Sequence, residues 1–185
     1  MTQGNLAQHN RQMAPPTISS VQLNIVTSID VAGATYTGRL DGKAGLMDNS
    51  AKSTGKGTTS LKTVCKQGQI LNWLIYARDM QQRPDNSWPP NARIVNIVFL
   101  NGDGTVRETQ TCNPLRVFGG PDKIRSPSTP VYYYWAGEIK PDIKPGIYPY
   151  RLVIQCDTPY PGTPKFFNLD GPSLEILPMD DFEPA

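Results

Sequence analysis

Apolar residues fall along the chain in short runs whose period is nearer two than 3.6, which predicts strands and no helix as long as ten residues. From Tyr148 through Tyr150, Leu152 and Ile154 to Cys156 the alternation is unbroken, with Arg151 and Gln155 among the residues facing the other way, as a half-buried strand requires. A partial alternation runs from Ile18 through Val21, Leu23 and Ile25 to Ile29 and Val31. Two runs are almost continuously apolar. Residues 70–77 (ILNWLIYA) should be buried on both faces or central in a sheet, with helix as the rival reading, and the β-branched run 94–100 is the clearest strand. Asn101-Gly102-Asp103-Gly104 then reads as a hairpin turn, because Asn-Gly and Asp-Gly accept positive φ, and 105–111 becomes the antiparallel partner. Further short strands are expected within 44–47, 59–65, 115–118, 131–136, 165–169 and 173–177.

Short strands joined by turns rich in Pro, Gly, Asn and Asp define an all-β chain: an antiparallel β-sandwich, jelly-roll-like, of about eight to ten strands. Two packed sheets are needed, because a single open sheet would leave too much Val, Ile and Tyr in water. The 18 Pro and 16 Gly among 185 residues are then turn geometry. One sandwich domain spans 18–178, between a polar Gln/Asn-rich tail over 1–17 and an acidic tail over 179–185. Residues 32–58 read as loop around the brief strand at 44–47, and 81–90 as a proline-clamped loop carrying Trp88.

Charge narrows the partners. A net charge of +2 gives no field for nucleic acid or an anionic surface, and the six basic residues from Arg39 to Lys66 have only Tyr36 near them as a stacking platform. Cys65, Cys112 and Cys156 lie 47 and 44 residues apart, without zinc or disulfide spacing. The polar start MTQGNLAQHNRQMAPP carries no signal-peptide core or membrane anchor, so a cytoplasmic protein with free, buried thiols is expected, and signal-less export is left open.

The sole histidine, His9, stands in the tail, which removes catalysis by a histidine base on a rigid scaffold. Ser53-Thr54-Gly55-Lys56-Gly57-Thr58-Thr59 fails as a phosphate loop, since Ser50 stands where glycine must and Gly57 follows the lysine. Asn101-Gly102-Asp103-Gly104-Thr105 echoes the start of a calcium loop but has Cys112 at the position of the closing glutamate. No carboxylate pair stands out among Asp79, Asp85, Glu108, Asp122, Glu138 and Asp142. The expectation is a protein that is not an enzyme and needs no cofactor or metal.

The aromatics are more informative. Trp88 with Asp85 and Asn86 in the clamped loop, Tyr132, Tyr133 and Tyr134 on a strand where two of the four residues 132–135 must face outward, and Asp48 and Asn49 beside a loop form the candidate ligand-binding set. Rings beside amide and carboxylate groups suit sugar stacking, and they suit self-association equally well.

Leu46-Met47-Asp48-Asn49-Ser50, Gly55-Lys56-Gly57-Thr58, Leu61, Cys65, Gly68, Asn72-Trp73, Pro145-Gly146 before Tyr148 and Tyr150, and Asp170-Gly171-Pro172-Ser173-Leu174 together resemble the AidA/PixA family of bacterial inclusion body proteins over 18–177. The resemblance implies a compact β-sandwich, a cytoplasmic bacterial protein able to accumulate in inclusions, links to quorum sensing or host association, and no established reaction. Methionine-rich members match poorly, since only five Met occur and Met1 and Met13 are in the tail. The functional expectation is therefore a non-enzymatic binding protein that recognises a glycan and forms a homo-oligomer; the alternative is a self-assembling inclusion-body or structural protein.

Overall fold

Leu23–Ile29 forms strand β1 because its alternation buries Leu23, Ile25, Thr27 and Ile29 while Asn24, Val26 and Ser28 stay half-buried. The structure, a computed structural model, describes residues 22–78, 91–120, 132–158 and 163–179. The N-terminal tail, the Trp88 loop with Asp85 and Asn86, most of the 119–130 connection and the acidic end lie outside the described residues. After β1 come α1 (Val31–Thr37), β2 (Ala44–Asp48), β3 (Lys62–Lys66), β4 (Ile70–Ala77), β5 (Ala92–Phe99), β6 (Cys112–Gly119), β7 (Tyr133–Ile139), β8 (Gly146–Cys156), β9 (Lys165–Leu169) and β10 (Ser173–Leu177).

The strands build the expected sandwich. Sheet one has the order β2-β1-β4-β7-β6 and sheet two the order β3-β10-β8-β5, with β9 also paired to β8. The sheets are mixed, whereas antiparallel pairing throughout was expected: β1 lies parallel to β4, and β10 parallel to β3. The long β8 is the spine of sheet two. Its first half pairs with β10 and its second half with β9, so those two run end to end along one edge of β8, with a one-residue slip in register at 170–172. Side chains of both sheets meet in one core, in which Trp73 and Tyr150 are the largest fully buried residues and contact edge to face at 6.1 Å between centroids.

Two departures from the sequence reading have local causes. Val31, read as the end of a strand, and residues 32–37, read as loop, are a short helix: Asp30 accepts the Gly33 N–H at 2.8 Å as N-cap, and Gly38 ends the helix with φ of 71°. Residues 105–111 do not form a hairpin strand, because pairing stops at the single bridge between Leu100 and Val106 and the chain then crosses to sheet one. The 101–105 turn is closed by its own side chains, with Asp103 accepting from the Thr105 hydroxyl and N–H, which together hold the Asp103 carboxyl below its usual range. Among the described residues no helix is long and apolar enough to cross a membrane.

Candidate functional site

The sheets expose very different outer faces. Register sets Met47 of β2 beside Val26 of β1, and Val26 beside Leu74 of β4. Trp73 faces Trp135 in the β4/β7 ladder, and continuing that register sets Leu74 beside Tyr134, which pairs in turn with Phe118 of β6. The Tyr134 and Phe118 rings stack at 5.7 Å. Apolar side chains thus cross all five strands on one face. Tyr76 and Tyr132 add a second pair of rings 6.0 Å apart, and Tyr132 also meets Tyr134 edge to face at 6.4 Å. Loss of water around its hydroxyl, then the neighbouring Tyr132, push the Tyr76 phenol above its ordinary value. Met47, Ile70, Tyr76, Phe118 and Tyr132 are exposed, while Asn24 and Asn72, hydrogen-bonded at 2.8 Å, and Glu138 give the other end of the face a polar border.

On sheet two the outward residues satisfy one another. Arg93 donates twice to Gln155, Arg151 grips Asp170 through two nitrogens at 2.6 and 3.0 Å, and Lys62 pairs with Glu175 at 3.1 Å. Ile147 and Phe166 are isolated apolar exceptions.

The edges at β2, β3 and β5 are occupied as well. Residues 49–61 stitch β2 to β3: Leu46 and Thr58 bond across one bridge, and Thr54 and Lys62 across another. Along β5, the Trp135 indole donates to Ile94 O at 2.9 Å, Asn96 Oδ1 takes the Ile97 N–H, and Arg107 N–H reaches Phe99 O. Such groups leave little backbone for another strand to pair with.

The candidate ligand residues divide accordingly. Tyr132 and Tyr134 point outward and join the aromatic face, whereas Tyr133 lies on the inward-facing row with Trp135. Asp48 also points inward. Its side chain is fully buried, with Lys56 Nζ 3.3 Å away and the Ser50 N–H on Oδ1, and Oδ2 has no partner. Lys56 further donates to the carbonyls of Asp48 and Ser50. Asn49 is consumed by β1, accepting from Asn24 N and donating to Gln22 O. Asp48 and Asn49 therefore fasten the 49–61 loop. Cys65 and Tyr150 stand close to Asp48, and burial first, then these neighbours, push the Tyr150 phenol up. Asp85, Asn86 and Trp88 fall outside the described residues. Among the described residues no three His, Cys, Asp or Glu side chains gather as metal ligands.

Sequence reasoning missed Val26, Leu74, Tyr76 and Phe118. Apolar residues of both parities within ILNWLIYA carried part of that signal.

The fold is similar to that of a solved structure, the inclusion body protein PixA of Burkholderia cenocepacia J2315. Its chain superposes with a TM-score of 0.58 at 10% identity, over 90% of this chain and 100% of that one. The sandwich implied by the AidA/PixA resemblance is therefore the fold adopted. No curated protein matches the sequence. Residues 21–160, from β1 to just past β8, match the family described as a domain of unknown function (DUF8788), and the chain belongs to that family.

Proposed function

We propose that this is a self-associating structural protein of the inclusion-body kind, whose copies pack through the outer face of sheet one. The observation that carries the reading is the apolar row from Met47 through Val26, Leu74 and Tyr134 to Phe118, on a molecule whose other face and whose β2, β3 and β5 edges are internally satisfied among the described residues. An apolar row of this kind suits an isologous two-fold contact, and aromatic residues are enriched in the cores of such contacts. The similar PixA structure is that of an inclusion body protein, which supports the same reading and fits accumulation in the cytoplasm.

Sedimentation velocity on the full chain tests it. The wild type forms an oligomer whose share rises with concentration, and Phe118→Ser/Tyr134→Ser is monomeric with an unchanged melting temperature. A wild type that stays monomeric at high concentration overturns the proposal. Sugar stacking would use the same Tyr132 and Tyr134 rings, so a monomeric wild type that is captured on a glycan array, and loses capture in Tyr134→Ser, would favour glycan recognition instead.

A further inference from the structure

Between the outer side of β5 and the start of β6 the sandwich opens into a groove of about 650 Å³, floored by Phe99, Leu115 and Trp135 and roofed by residues 106–111. This volume falls within the range of small-molecule sites. The roof is pinned at both ends, by Arg107 N–H on Phe99 O and by Lys140 N–H on Thr111 O.

Its polar groups are unusual in being unspent. The Arg107 guanidinium lies over the Tyr148 ring, 4.9 Å from the centroid, and pairs with no carboxylate among the described residues. Its Nε is buried without a hydrogen-bond partner. Thr111 is 0% exposed, lines the same groove, and its hydroxyl is equally unpartnered. Three other arginines are paired: Arg39 with Asp41, Arg93 with Gln155, Arg151 with Asp170. Two buried donors over an apolar floor cost free energy unless something accepts from them.

We propose that this groove binds a small organic acid, with a carboxylate held by Arg107 and the Thr111 hydroxyl and an apolar body lying on Phe99, Leu115 and Trp135. A guanidinium already stacked on an aromatic ring presents a fixed fork to a carboxylate. A single negative charge fits better than a phosphate dianion, because among the described residues Arg107 is the only cation in the lining, and the one acid there, exposed Glu108, would repel a second charge. The site lies apart from the sheet-one outer face and does not depend on self-association.

Calorimetric titration of the full-length protein with octanoate, octanamide and octyl phosphate tests the assignment. Octanoate should bind saturably and at least about tenfold tighter than octanamide, the scale of a hydrogen bond to a charged group. Arg107→Met, which keeps an apolar stem over Tyr148, should abolish that preference, and Leu115→Trp should block binding by filling the groove with Arg107 intact. Equal affinity for acid and amide, tighter binding of octyl phosphate than octanoate, or octanoate binding unchanged in both variants overturns the proposal. So does binding lost in Phe118→Ser/Tyr134→Ser but kept in Arg107→Met, which would place the acid on the outer face. If Arg107→Met fails to fold, Leu115→Trp decides alone.

Discussion

The Asp48 carboxylate and the Lys56 ammonium stand 3.3 Å apart, with the aspartate side chain wholly buried and the lysine reaching solvent. The pair joins the end of β2 to the loop that closes one side of the sandwich. Removing the lysine leaves a buried charge without its counter-ion, whereas replacing the aspartate by asparagine removes the charge itself. Lys56→Met should cost about 3 kcal/mol, and Asp48→Asn less, as read from urea unfolding midpoints. The reverse order would show that the loop does not depend on this charge.

Burial shapes the behaviour of the thiols. Cys65, Cys112 and Cys156 are free and buried, and loss of hydration pushes the first two up to about 12 and the third to about 11. The native protein should therefore show no thiol reactive toward Ellman's reagent at pH 8, and the denatured chain all three.

The same shifts fix the sign of the alkaline response. These groups favour the neutral form in the folded state, so their contribution is complete below the ordinary thiol value of 9.0 and declines as pH rises toward 11 to 12. The raised Tyr150 phenol acts in the same direction above its ordinary value of 10.0. Urea midpoints should fall steadily from pH 8.5 to 10.5; a rise would contradict the burial of these side chains.

Gly171 has φ of +116°, and a Cβ there would lie 3.0 Å from Thr59 O. Gly171→Ala should cost about 1–3 kcal/mol through strain and crowding. Gly102, with open space around it, is the control: Gly102→Ala should shift the melting temperature hardly at all.

Trp135 donates its indole N–H to Ile94 O and ties β7 to the edge of β5. Trp135→Phe keeps the ring and loses the bond, which should lower stability by about 1 kcal/mol. Faster hydrogen exchange confined to β5 would mark the loosened edge, and unchanged exchange would show that the indole does not hold it.

What the sequence disclosed follows from physical range. β4, β9 and β10 begin and end where the hydrophobic runs do, and the unbroken alternation of β8 buries Tyr148, Tyr150, Leu152, Ile154 and Cys156. Alternation also required two of residues 132–135 to face out, but only pairing with β4 and β6 decides that these are Tyr132 and Tyr134. α1 is too short for a periodic signal and is announced only by its caps, Asp30 and Gly38. Asp48 and Asn49 read as ligand groups because a sequence does not show that their own loop and β1 use those side chains. Arg107 gave no local signal at all: what distinguishes it is the Tyr148 ring, brought beneath it from a distant strand.

Along β8 every inward side chain has an even number, from Tyr148 to Cys156, yet the strand facing it buries Phe167 and Leu169 before the bend and Leu174 and Ile176 after it. The link at 170–172 therefore works as a counter that changes parity once. It holds one residue more than an unbroken strand needs between the partners of Leu152 and Tyr148, so deleting one residue there would leave a regular ladder with Leu174 and Ile176 still inward, whereas deleting two would require the register to shift to keep them there.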